Sequence, residues 1–274
     1  VSIFFVAPIE QHPDYDKVTT VPASAHANAS YPASNLLTYD PTQVMLATQV
    51  APVITWDLGA AKSWDVISLI HTNLAHDATI LVEGSTNNSV WVTLQAAGTL
   101  ALAHTVAGQT VQNQKHMLRR NLTLFVSPTV LTYRYIRITP TNTGGVLPFF
   151  GRLFVGLKWK PTYGWQYGSQ VNFLDLSRHE RTDRGTLVLD YIPPIPGASV
   201  QMDFLSKAEM MDFAWEFNYW RGAGKEFLAC LDVEDTKYLQ KMTFYCTITE
   251  GRTISFDSYN THSQTWTLEN IAAA

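Results

Sequence analysis

Charge is scarce in this chain. Asp, Glu, Lys and Arg make up 15% of its 274 residues, against ~25% in an ordinary soluble domain. Its 19 basic and 23 acidic residues leave a net charge of −4. No basic patch forms, so neither counterion-driven nor sequence-specific nucleic-acid binding is expected. Cysteine is almost absent. Cys230 and Cys246 lie in β-patterned segments without C-x-x-C spacing, so they read as free thiols; a disulfide would require adjacent strands. No apolar run approaches the ~20 residues that cross a bilayer, so membrane insertion is not expected. The opening VSIFFVAPIE lacks the basic start and small-residue cleavage site of a signal peptide. Phosphate-binding loops, dinucleotide turns and nucleophile elbows are missing too. His179-Glu180 lacks the second His of a metalloprotease helix, and the other His are scattered. The expectation is therefore no enzyme, no cofactor and no metal.

Aromatic residues are plentiful: 8 Trp, 12 Tyr and 13 Phe. Low charge with many aromatics suits a surface hidden in an assembly, and equally suits an aromatic-rich β-sandwich. The length accommodates two ordinary domains. Strand signals are dense from Val53 onward. Val53 to Leu58, Trp64 to Ile70, Ala78 to Glu83 and Val90 to Leu94 are each bounded by Gly, Asn, Asp or Ser. Asp57 and Gly59 are expected to close a tight turn. Weaker candidates are Thr99 to Val106 and Leu122 to Val126. Tyr133 to Ile138 alternates, with Tyr133, Tyr135 and Arg137 on one face and Arg134, Ile136 and Ile138 on the other. Ser2 to Val6 reads as an edge strand or an arm reaching a neighbour.

The character changes near LKWKPTYGWQY (Leu157 to Tyr167), where the domain junction is placed. Strands are expected at Gln170 to Leu176, Gly185 to Tyr191, Ser199 to Phe204, Glu226 to Leu231, Lys241 to Thr249 and Ser263 to Leu268. One helix stands out, at about 206–221. Ser206 and Glu209 form an S-x-x-E capping box, and Leu205 and Met210 occupy the hydrophobic-staple positions. Met210, Met211, Ala214, Trp215 and Phe217 make its apolar face, and Gly222 ends it. The acidic set Glu226, Asp232, Glu234 and Asp235 reads as a solvated loop, and Arg178 to Arg184 as an exposed turn or inter-subunit ion pairs. Trp159, Trp165, Trp215 and Trp220 are expected in core or subunit contacts.

Two resemblances follow from ordered motifs. Tyr31-Pro32-Ala33-Ser34-Asn35-Leu36-Leu37, Ile54-Thr55-Trp56-Asp57-Leu58-Gly59, Val66 to Ile70, Ala78 to Ser85, Ser89 to Val92 and Tyr133 to Ile138 occur in sequence. Over about residues 20–156 this order resembles the discoidin domains and their carbohydrate-binding relatives, the galactose-binding-like jelly rolls. The chain departs from them at Met45-Leu46-Ala47, where the family usually carries a Trp. The resemblance implies a sugar site on loops at one end of the sandwich, with Asn73, His76, Arg120, Asn142 and Phe149 as candidate ligand residues. The second resemblance rests on Gly151 to Gly156, Trp159-x-Pro161, Ser177-Arg178, Arg181-Thr182-Asp183, the helix and Leu231-Asp232. These are similar to distal tail-tip proteins of long-tailed bacteriophages, which share a ring-forming tail-tube fold.

Taken together, the chain is expected to be all-β. Residues 1–156 form a galactose-binding-like jelly roll with an N-terminal arm. Residues 157–274 form a tail-tube-like β-sandwich with one flanking α-helix. The role implied is a structural component of a phage tail tip or baseplate in the virion, assembled in the host cytoplasm. Its expected partners are copies of itself in a sixfold ring, the tail tube, tape-measure and hub proteins, and a host-surface glycan. The alternative is a secreted or accessory carbohydrate-binding module without a virion role.

Overall fold

The computed structural model describes residues 3–11, 20–75, 78–98, 122–143, 145–164, 166, 168–181, 183, 185–192, 194–234, 239, 241–250, 253–258 and 260–271. The chain is all-β. Its strands are, first, β1 (Phe4–Pro8), β2 (Met45–Leu46), β3 (Ile54–Thr72), β4 (Thr79–Ser85), β5 (Val92–Gly98), β6 (Leu122–Thr141) and β7 (Phe149–Trp159). There follow β8 (Gln170–Leu174), β9 (Arg178–Arg181), β10 (Leu187–Asp190), β11 (Ile195–Leu205), β12 (Phe227–Cys230), β13 (Thr243–Glu250), β14 (Ile254–Phe256) and β15 (His262–Asn270). Helix α1 begins as a π-helix, Glu209–Trp215, and continues as α-helix, Glu216–Arg221. Two compact units result: a larger one of Ser2–Lys160 with Glu226–Thr243, and a smaller one of Pro161–Lys225 with Phe244–Ile271. The stretch Glu226–Thr243, with β12, thus clusters with the chain's first part.

Two long strands shape the larger unit. β3 has 19 residues and β6 has 20, and each crosses from one wall to the other. The first wall runs β5, β4, the end of β6 and the start of β3. The second uses the start of β6 and the end of β3, then adds β7, β1 and β12. All these pairs are antiparallel. Alternation gives each wall one inward face. Ile54, Trp56, Ile80, Val82, Ile136 and Ile138 from the first wall meet Ile67, Leu69, Leu153 and Val155 from the second in one buried cluster.

Three local expectations are revised here. Asp57 to Gly59 does not separate two strands. β3 continues, and residues 58–61 loop out as a bulge, because Asp57 pairs with Tyr135 while Lys62 pairs with Tyr133. The turn chemistry itself is present: the Gly59 N–H donates to Asp57 Oδ1 at 2.8 Å, and Gly59 has φ +80°. Opposite this bulge the alternation of β6 breaks. Tyr133 packs inward beside Trp64, ring centroids 6.4 Å apart, although Ile136 also faces the core. Finally, β1 is an interior strand and not an edge or a free arm. It pairs with β7 on one side and β12 on the other, and Phe4, Phe5 and Val6 are buried.

The smaller unit is built on β15. β11 pairs along one side of it, with β8 beyond; β14 and β13 share the other side. Ala198, Val200, Met202, Trp266 and Leu268 are buried on this sheet, and Phe217 of α1 stacks on Trp266 at 5.1 Å. The capping box forms as read: Glu209 N–H donates to Ser206 Oγ at 3.2 Å, and Ser206 N–H to Glu209 Oε2 at 2.9 Å. Leu205 and Met210, the staple pair, are both buried. The buried stripe of α1 is narrower than expected. It contains Met210, Ala214, Phe217 and Arg221, whereas Met211 and Trp215 are exposed. Among the described residues no helix is long and apolar enough to cross a membrane.

Candidate functional site

One end of the larger unit gathers the loops that follow β3 and β6 with the loop before β2. β3 ends at His71 and Thr72, and His71 takes the left-handed conformation, φ 55°. That conformation is uncommon for a residue with a side chain and costs about 1–3 kcal/mol, so the surroundings must hold it. Gly151 on β7 explains part of the hold. A Cβ there would run into the Pro41 carbonyl oxygen and touch His71, so glycine lets the Thr38–Val44 loop close over the strand ends. The His71 ring lies 5.3 Å from the ring of Phe149. Asp40 is on the closing loop. Hydrogen bonds from the Thr42 hydroxyl and backbone N–H hold its carboxyl below the usual range, and the nearby His71 lowers it further. Tyr39, Val146 and Leu147 are exposed around these groups.

Two asparagines fix the loops. Asn73 Nδ2 donates to the Leu147 carbonyl at 3.0 Å, and its Oδ1 accepts from the Phe149 N–H at 2.7 Å. Asn142 is buried. Its Oδ1 accepts from the Ala75 N–H at 2.9 Å, and its Nδ2 donates to the Val146 carbonyl at 3.0 Å. Each side chain stands in for missing backbone partners, as Asn does where regular pairing ends.

Of the five residues singled out from sequence, Asn73, Asn142 and Phe149 therefore come together at this end. His76 and Arg120 lie outside the described residues. Asp40 and His71 join the set through the fold. His71 carried a faint signal, a polar residue closing an apolar strand before Thr72-Asn73; Asp40 carried only its Asx-turn spacing to Thr42.

A second polar cluster lies in the same unit. Arg152 on β7 is fully buried, and its Nη2 donates to Glu226 Oε1 at 3.0 Å and also to Glu10. Gln11 Nε2 donates to the same Glu226 oxygen. Glu226 is thus a buried ion-pair member and not part of a solvated loop, because β12 begins beside β1 and brings it to Arg152. Asp235 lies outside the described residues. Burial raises the pKa of Glu10; Arg152 works against that rise. Among the described residues no three His, Cys, Asp or Glu gather as a metal-holding group. Cys230 and Cys246 are free and buried. Burial pushes the Cys230 thiol up to about 11 and Cys246 well above its usual value.

No protein-family model matches this chain. No curated protein matches it either. Solved structures do resemble it loosely. CpGH89CBM32-6 of Clostridium perfringens aligns at 11% identity over 54% of this chain and 98% of its own, with a TM-score of 0.38. The chitosan-binding module 1 of a chitosanase/glucanase from Paenibacillus sp. IK-5 aligns at 14% identity over 50% and 95%, TM-score 0.38. The CBM32 of AlyQ, solved with 4,5-unsaturated mannuronic acid, aligns at 18% identity over 53% and 98%, TM-score 0.37.

Proposed function

We propose that this chain is a non-catalytic carbohydrate-binding protein whose larger unit takes a glycan at the Asp40–His71–Phe149 loop end. The observation that supports it is the left-handed His71 held against the Phe149 ring. Strain kept at a loop end where an aromatic ring, an imidazole and an ionised carboxylate converge suits a preorganised binding site. A sugar needs an apolar ring face to stack on and fixed polar groups for its hydroxyls, and this end supplies both. Asn73 and Asn142 act as positioning residues. Titration calorimetry with galactose, N-acetylgalactosamine and glucosamine oligomers tests the reading. Binding is expected for the unaltered chain, and the heat from the loop-end site is lost in Phe149→Ala and in His71→Ala. Equal heats for all three chains would refute it.

A second reading, self-assembly in a virion tail tip, has one observation in its favour. Among the described residues β9 and β10 pair only with each other, and every residue of both is exposed. Leu187, Val188, Leu189 and Tyr191 all face water there, as do Phe173 and Leu176 nearby. A two-stranded ribbon is marginal alone, and this one would be completed by copies of the chain in a ring beside tail-tube, tape-measure and hub proteins. Sedimentation velocity distinguishes the two readings. A discrete oligomer dispersed by Leu187→Lys with Leu189→Lys favours the ring; a monomer at all concentrations excludes it.

A further inference from the structure

The smaller unit carries an open groove that neither reading uses. Its walls are Trp215 and Tyr219 of α1 and Ile254 and Phe256 of β14, Asn218 lies in its lining, and its volume is about 300 Å³. Trp215, Tyr219 and Phe256 are 52%, 74% and 67% exposed. Three large rings left in water around one concavity forgo the burial that stabilises most aromatics. The π-helical stretch ends at Trp215, so the wall begins where the helix is irregular, a feature frequent at functional sites.

Polar groups without partners lie in the groove's lining and opposite its strand wall. Asn218 Oδ1 accepts from the Trp266 indole N–H at 3.0 Å. Because an indole N–H only donates, that bond fixes which way the amide points, and Nδ2 faces away from it. Nδ2 is buried and meets no hydrogen-bond partner among the described residues. The same holds for both ring nitrogens of His262 and for both side-chain polar atoms of Gln264. In the β14–β15 register, Ile254 is opposite Gln264 and Phe256 opposite His262, so these two polar residues share a sheet face with two groove walls. Phe256 and His262 meet edge to face at 5.0 Å.

We propose that this groove is a second binding site, for a pyranose ring of a neutral saccharide. The C–H face of the ring lies on Trp215, Tyr219 and Phe256. Hydroxyls, which both donate and accept, meet the side chain of Asn218 in the lining. Among the described residues the lining contains no cationic side chain, which disfavours an anionic ligand. A pure hydrocarbon would leave the Asn218 amide unmet. The inference is independent of the loop-end site: it concerns the other unit and rests on other residues.

The test uses the full chain with the methyl glycosides of glucose, galactose and N-acetylglucosamine. Saturation-transfer NMR detects contact, and tryptophan emission gives the affinity, with Trp215 as the exposed reporter. At least one glycoside is expected to bind with a Kd on the order of 1 mM. Tyr219→Ala and Phe256→Ala, both on exposed side chains, should each weaken it at least about fivefold. Val90→Ala, on an exposed side chain of the larger unit, should leave that affinity unchanged. Saturation transfer to none of the three glycosides overturns the proposal. So does binding that survives Tyr219→Ala and Phe256→Ala but disappears in Phe149→Ala, a result that assigns the sugar to the loop end alone.

Discussion

Replacing Arg152 by Met should be among the most damaging single changes in the larger unit. The guanidinium is fully buried between Glu10 and Glu226, themselves nearly excluded from solvent. Removing it leaves two buried carboxylates facing each other without a cation. Breaking a buried ion pair from one side costs about 3–5 kcal/mol. For a unit of this size each kcal/mol moves Tm by about 2–4 °C, so a drop of about 6–20 °C follows. The carboxylates should not behave alike. Burial raises the pKa of Glu10 above its unfolded value of 4.5. A group raised on folding binds more protons in the folded state, so its contribution is fully present below pH 4.5 and is lost as the pH rises through the folded value. Above its folded value Glu10 is therefore a burden, and Glu10→Gln should change stability by less than about 1 kcal/mol, because Arg152 keeps Glu226. Glu226→Gln should cost more, because Glu226 also receives Gln11. The triple change Glu10→Leu, Arg152→Met, Glu226→Leu should recover most of the loss, since matched apolar residues often replace buried ions without penalty. Differential scanning calorimetry at pH 7 and pH 4 reads all four variants. A Tm for Arg152→Met within about 2 °C of the unaltered chain would refute the reasoning, as would a triple variant no better than the single one.

Three further outcomes are expected. Asn142→Ala removes the acceptor of the Ala75 N–H and the donor to the Val146 carbonyl. It should cost about 1–3 kcal/mol and speed hydrogen exchange in the loop before β7, read by mass spectrometry. Burial raises the Glu209 carboxyl, but hydrogen bonds from the Thr162 and Ser206 backbone outweigh it and hold its pKa below 4.5. That stabilisation is present above pH 4.5 and fades as the pH falls through the folded value. Acid titration of the smaller unit should lose this component in Glu209→Gln, and Ser206→Ala should cost about 1 kcal/mol at pH 7 by thermal melt. Neither thiol should react with a disulfide reagent at pH 8 in the native chain, because burial keeps both protonated; both should react after denaturation.

What the sequence revealed was local. The Ser206–Glu209 box is set by spacing within a few residues and forms where it was read, and Leu205 and Met210 beside it are both buried. Asp57-Leu58-Gly59 shows the limit of that kind of inference. Its chemistry is that of a turn, and the Asp57–Gly59 hydrogen bond is made. Whether the chain reverses there or only bulges depends on whether β6 continues alongside, and no spacing within β3 encodes that. Alternation along β6 failed for the same reason, since four residues looped out of β3 face a single residue of β6.

Partners far apart in the chain were not legible at all. Glu226 sits among other acidic residues and reads as solvated; only the antiparallel placement of β12 beside β1 delivers it to Arg152. The loop-end residues follow a similar logic. Asn73 and Asn142 were singled out because amides suit sugars, yet each spends one donor and one acceptor on loop backbone. Functional and structural amides share one composition, and the difference lies in what the second loop offers. The same argument applies to α1. A narrow buried stripe leaves Trp215 and Tyr219 on the water side, where a periodicity reading would place Trp215 in the core. An exposed ring that a sequence pattern expects to be buried marks a place where packing has been forgone. Where such rings surround an amide with an unmet donor, the two deficits have complementary chemistry, and one ligand with an apolar face and a hydroxylated rim would satisfy both.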